Sequence, residues 1–161
     1  MDNIFKIDSI DEYNKYFGFE TRHPLVTVID MSRATRNFTP AELTYNYGVY
    51  ALFLKQTYCG DITYGRMPYD YQEGTVTSFA PGQVVTFKPR HDVKPNALGL
   101  LFHPDLIRGT SLGQEIKQYS FFSYSSTEAL HLSEQEKMIY KDCLEKIKIE
   151  TERPIDNHSK K

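Results

Sequence analysis

The chain has 161 residues, a quarter of them charged, and a formal net charge of −2. That length accommodates one domain with a real core rather than two, and the near balance of charge excludes a domain that grips phosphate backbones unaided. Two cysteines, Cys59 and Cys143, lack CxxC spacing and suggest neither a zinc ribbon nor a disulfide framework; Met1 to Asp8 lacks the apolar stretch of a secretory leader and no run reaches membrane-spanning length, so the expected location is cytoplasmic.

Ser9-Ile10-Asp11-Glu12 has the capping-box pattern, and Gly18 is placed to end the helix it opens, predicted over 10–17. After Arg22-His23-Pro24, the run Leu25 to Asp30 reads as a strand, and Thr39-Pro40-Ala41-Glu42 as a loop. Further strands follow at short spacing: Tyr47 to Lys55, Ile62 to Met67, Thr75 to Phe79, Val84 to Phe87 and Ala97 to Phe102. Cys59-Gly60-Asp61, Gln72-Glu73-Gly74, Pro81-Gly82 and Lys94-Pro95-Asn96 supply turn chemistry between them. Thr75 to Phe79 and Val84 to Phe87 are expected as a hairpin about Pro81-Gly82, within a small antiparallel barrel.

Beyond Phe102 the pattern becomes helical. His103-Pro104-Asp105 stops the strand, and Leu106, Ile107, Leu112, Ile116 and Tyr119 recur at helical spacing, giving two short helices at 104–109 and 111–118. A second capping box, Ser133-Glu134-Gln135-Glu136, opens a helix predicted over 133–151, ending before Pro154. Asn157 to Lys161 reads as a linker stub.

The turn Ala80-Pro81-Gly82-Gln83, the junction Leu100-Leu101-Phe102-His103-Pro104-Asp105-Leu106-Ile107-Arg108-Gly109-Thr110, and the segments Tyr119 to Phe122 and Glu128 to Ser133 carry a family resemblance over residues 45–150. The chain resembles the N-terminal sensor domain of AraC-type transcription regulators. The resemblance implies a mainly β fold with C-terminal helices: a cupin-like double-stranded β-helix, or jelly-roll barrel, followed by an α-helical dimerisation segment. Residues 1–130 would form the effector-binding barrel, with its short N-terminal helix and the helices after residue 103. Residues 131–161 would form the C-terminal helix and linker stub. In the family a helix-turn-helix DNA-binding domain of about a hundred residues follows. These residues do not include it, so the chain is expected to be an excised sensor or a standalone relative.

Metal-binding cupins use two histidines at alternate strand positions, because period-two spacing points both ligands to one face. No His-x-His occurs among His23, His91, His103, His131 and His158, so neither a metal nor another cofactor is expected. His103-Pro104-Asp105 with His131 formally matches the His-x-Asp…His triad of iron and 2-oxoglutarate oxygenases. Against it, Pro104 ends the strand that should present two ligands, and His131 sits just before a helix cap. Lys88-Pro89-Arg90-His91-Asp92 reads as a solvated loop, and Cys59 has no neighbouring base to activate it. No catalytic residue is expected.

Alternation places Ile62, Tyr64 and Arg66 on one strand face, Thr75, Thr77 and Phe79 on another, and Val85 with Phe87. Arg66 most resembles a ligand anchor, since its fork of donors suits a carboxylate or sugar hydroxyls beside Tyr64. Tyr50, Phe79 and Phe87 complete the candidate ligand-binding set. Ile139, Cys143, Leu144 and Ile147 form a stripe on the last helix, the candidate homodimer surface. The expected function is therefore ligand sensing and dimerisation within a bacterial regulator, not enzymatic, with a sugar or carboxylate as effector and no membrane partner. DNA would be contacted only through the helix-turn-helix domain. A small cupin-fold enzyme, an isomerase or metal-dependent oxygenase, and a standalone carbohydrate-binding module are the alternatives.

Overall fold

In the computed structural model, which describes residues 4–34, 43–56, 60–64, 67–68, 74–89, 96–118 and 130–153, the strands assemble into two five-stranded sheets. The strands are β1 (Ile4–Ile7), β2 (Val26–Asp30), β3 (Leu43–Tyr47), β4 (Tyr50–Lys55), β5 (Gly60–Tyr64), β6 (Met67–Pro68), β7 (Thr75–Phe79), β8 (Val84–Pro89), β9 (Ala97–Phe102) and β10 (Leu130–His131). The helices are α1 (Ile10–Phe17), α2 (Ser111–Glu115) and α3 (Glu134–Glu152), with 3-10 turns at Met31–Arg33, Pro104–Leu106 and Ile116–Gln118. The first sheet has the order β1-β3-β8-β5-β6 and the second β10-β7-β4-β9-β2.

Four antiparallel pairs are nested inside one another along the chain. Val26 faces Phe102 in β2–β9, Leu43 faces Phe87 in β3–β8, Ala51 faces Phe79 in β4–β7, and Thr63 faces Pro68 in β5–β6. The chain from β2 to β9 thus behaves as one long ribbon doubled back on itself. Alternate pairs of that ribbon lie in alternate sheets. Lateral pairing of β4 with β9 and of β5 with β8 joins the pairs within each sheet. β1 extends the first sheet by parallel pairing with β3, and β10 extends the second beside β7.

Three expectations about the strands are corrected. β7 and β8 are not a hairpin, since β7 pairs with β4 and β10 while β8 pairs with β3 and β5. The Pro81-Gly82 turn instead carries the chain from one sheet to the other. Gly82, at φ 92°, donates its N–H to the Tyr47 carbonyl at 2.7 Å, and Tyr47 N–H returns to the Gln83 carbonyl at 2.9 Å. The turn is therefore tied to the end of β3. Likewise, the single strand expected from Tyr47 to Lys55 is two, because β3 ends at Tyr47 and β4 begins at Tyr50 in the other sheet. Gly48 makes this crossing possible. Its N–H bonds the Ile7 carbonyl at 2.8 Å, and a Cβ there would lie 2.8 Å from that same oxygen. The run Ile62 to Met67 similarly contributes to both β5 and β6.

The two longer helices follow their sequence signals, whereas the helix expected at 104–109 is only the 3-10 turn Pro104–Leu106 and that expected at 111–118 is α2 followed by the 3-10 turn Ile116–Gln118. Ser9 Oγ accepts from Glu12 N–H at 3.1 Å, and α1 ends at Gly18 with φ 83°. In α3 the capping box is complete: Glu136 N–H donates to Ser133 Oγ at 3.2 Å and Ser133 N–H to Glu136 Oε1 at 2.9 Å. Ser133→Ala should therefore lower stability by about 1 kcal/mol in urea unfolding. The Ser133 backbone N–H, and after it the Ser133 side chain, hold the Glu136 carboxyl below its ordinary range. With a folded pKa beneath the unfolded one, its contribution is present above the unfolded pKa and is lost as pH falls through the folded value. Alanine keeps the backbone donor, so only the part of the Ser133→Ala loss that comes from the hydroxyl's effect on the Glu136 carboxyl should shrink in acid.

The core has two parts because the second sheet is buried on both faces. Ile29, Ala51, Phe53, Phe79, Ala97 and Leu101 meet Tyr45, Tyr47, Ile62, Val85 and Phe87 of the first sheet, with Ile10, Tyr13 and Phe17 of α1 packed into the same cluster. On the other face, Val26, Tyr50 and Phe102 pack with Ile107 and Ile116, and Ile147 of α3 joins them. α3 presents Tyr140, Leu144, Ile147 and Thr151 at helical spacing. Tyr140 Oη donates to the Leu52 carbonyl at 3.4 Å, and Leu144 is only 5% exposed.

Candidate functional site

Between the two sheets lies a cavity of about 60 Å³. Phe53, Phe79 and Ala97 line it from the second sheet, and Tyr45, Tyr47, Ile62, Val85 and Phe87 from the first. Tyr13 and Phe17 of α1, with Met31, complete the wall. The rings form a connected set. Tyr47 stacks on Phe79 with centroids 5.1 Å apart across the gap between sheets, Phe53 is tilted on Phe79 at 6.4 Å, and Tyr13 lies 4.7 Å from Phe17.

The polar groups of this interior are few. Tyr13 Oη donates to Met31 Sδ at 3.7 Å. Burial, reinforced by Tyr47 and Tyr45, pushes the Tyr13 phenol well up, and burial alone does the same for Tyr47. Both phenols keep their protons at neutral pH. Lys55 also lines the cavity, with its Nζ 5.3 Å from the Phe53 ring centroid and 5.8 Å from that of Phe87. An ammonium flanked by rings from the two sheets is held by both quadrupoles. On β7, Thr77 faces Phe53 in register, and its fully buried Oγ1 has no hydrogen-bond partner among the described residues.

The expected ligand residues divide. Phe79 and Phe87 line the cavity. Tyr50 does not, since it lies on the opposite face of the second sheet, stacked on Phe102 at 5.1 Å. One residue of phase in β4 separates it from the interior positions Ala51 and Phe53. Tyr64 occupies a β5 position in register with Val85, while its side chain and Arg66 lie outside the described residues. Lys55 was not singled out by the sequence, although it falls in phase with Ala51 and Phe53. Nor were Tyr13, Tyr45 and Tyr47.

The proposed dimer stripe also divides. Leu144 and Ile147 pack against their own sheet, whereas Ile139 is 57% exposed and Cys143 is exposed. Met138 and Ile149 are exposed beside them in sequence. Leu144 is therefore withdrawn from any dimer contact by its own fold.

The oxygenase-like histidines are not brought together. His131 is on β10 beside Thr75, and β7 and β4 stand between that strand and β9, which ends just before His103. The two histidines also lie toward opposite ends of the sheet, because Thr75 faces Lys55 while Phe102 faces Tyr50. His103 Nδ1 accepts from Asp105 N–H at 3.0 Å, which caps the 3-10 turn. No group of three His, Cys, Asp or Glu side chains arranged for a metal occurs among the described residues. Cys59 and Arg90-His91-Asp92 lie outside those residues. No described helix is long and apolar enough to cross a membrane. No protein-family model matches the chain, and no curated protein matches it in sequence.

Proposed function

We propose that the chain is the ligand-sensing and dimerisation domain of an AraC-type bacterial transcription regulator, built on a cupin-like jelly roll and doing no covalent chemistry of its own. The observation that carries this reading is an aromatic cavity inside two sheets made from one nested ribbon. Pairing first strand with last, in alternate sheets, is the plan of a double-sheet jelly roll, and the interior of such a fold is a natural small-molecule site. The family resemblance over residues 45–150 supplies the biological context. DNA would be read by a helix-turn-helix domain, with effector binding shifting the arrangement of two such domains in proportion to its differential affinity for the two states.

Dimerisation would use the outward side of α3, where Met138, Ile139 and Ile149 are exposed. Fused to a DNA-binding module that represses only as a dimer, the chain should repress a reporter gene, and Ile139→Glu should abolish repression without unfolding the domain. A charge at the centre of an apolar contact is expected to weaken association at least tenfold. Failure of the unsubstituted fusion to repress, with the protein folded and expressed, removes the dimerisation part of the reading. Stoichiometric iron, manganese or zinc in purified protein would instead favour an oxygenase.

A further inference from the structure

The composition of the cavity wall selects a class of ligand. About 60 Å³ is a small space. An engineered apolar cavity of about 150 Å³ takes a benzene ring, so the present one suits a chain of roughly two to four carbons rather than a sugar ring. Rings and aliphatic side chains dominate the wall, and Lys55 supplies its one charged group among the described residues. We propose that this cavity binds a short-chain monocarboxylate, with the carboxylate at the Lys55 ammonium and the alkyl end between Phe53, Phe79 and Phe87. The inference rests on the sensor reading above and names the ligand class of the same site.

Two features support the assignment. A carboxylate in the cavity meets a cation set against the Phe53 and Phe87 rings, in surroundings where the attraction is stronger than in water. The apolar remainder of the wall explains why a single charged end, not a dicarboxylate, fits the space.

The test is an NMR titration of the 161-residue chain, following the aromatic ring resonances. Propionate should shift the Phe53, Phe79 and Phe87 signals saturably. Propionamide, equal in size and neutral, should bind at least tenfold more weakly, as should hexanoate, which is too long for the cavity. Lys55→Met should cost at least tenfold in propionate affinity. Val85→Ile, which leaves the lysine in place and adds bulk to the wall, should weaken binding as well. Equal shifts with propionate and propionamide, or undiminished binding by Lys55→Met, overturn the carboxylate assignment while leaving a ligand cavity standing. Ring signals that respond to neither probe also overturn it, and the reporter fusion then judges the sensor reading independently.

Discussion

Replacing Phe53 by alanine should cost about 3–5 kcal/mol, the largest loss expected from any single truncation in this protein. Phe53 is 5% exposed and sits near the middle of β4, paired with Thr77 on one side and Gly99 on the other. Its ring touches Phe79, carries the Lys55 ammonium, and lies against Gly99. Truncation would join the space of the side chain to the existing cavity, and the flanking strands are pinned on both edges by ladder hydrogen bonds, so little collapse can relieve it. Against a typical domain stability of about 5–15 kcal/mol, the variant should lose a large fraction of its margin. Thermal unfolding should shift downward by on the order of 10 °C. A shift of only a degree or two would show that Phe53 is not central to the interior.

The second large effect comes from adding atoms. At Gly99 a Cβ would stand 2.8 Å and 2.9 Å from two ring carbons of Phe53 and 3.1 Å from Cγ1 of Ile29. Ile29, Gly99 and Phe53 are in register across β2, β9 and β4, so the glycine is the gap into which its two large neighbours lean. Valine is a good strand residue, worth up to about 1 kcal/mol over glycine where there is room. Here the clash wins, and Gly99→Val should destabilise by about 1–3 kcal/mol. Chemical denaturation of a double-mutant cycle provides the check. In a Phe53→Leu background the same valine should cost less, with a coupling of about 0.5–3 kcal/mol. Additive effects would mean that the ring does not lie over the glycine.

How much of this molecule could be read from its residues depended on whether a signal was local. Ser9 with Glu12 and Gly18, and Ser133 with Glu136, mark the two longer helices, and both are where their caps place them. Thr75 to Phe79 and Ala97 to Phe102 are strands because their β-branched and aliphatic runs are bounded by turn residues. Partnership was the harder question. Pro81-Gly82 states that the chain turns, but not that it changes sheets, since that depends on Tyr47, far away in sequence. Facing was harder still in β4. In Tyr50 to Leu54 the residues of both phases are apolar, because one face meets the other sheet and the opposite face meets helices. With no polar positions to break the tie, Tyr50 could be placed inside and Lys55 overlooked. In β8 the alternation set Val85 and Phe87 on one face, and the structure turns that face inward while Val84 and Lys88 are exposed.

The nested pairing has a consequence for how the chain reaches this structure. Thr63 and Pro68 are close neighbours in sequence, whereas Val26 and Phe102 are separated by most of the domain. Closing the outermost pair first would require a very long loop, but each inner pair that zips shortens the effective loop for the next. The favoured order of assembly is therefore from the centre of the ribbon outward, with β2 and β9 docking after β4 and β7. The helical cover on the outer face of the second sheet has no complete floor until β2 and β9 are in place.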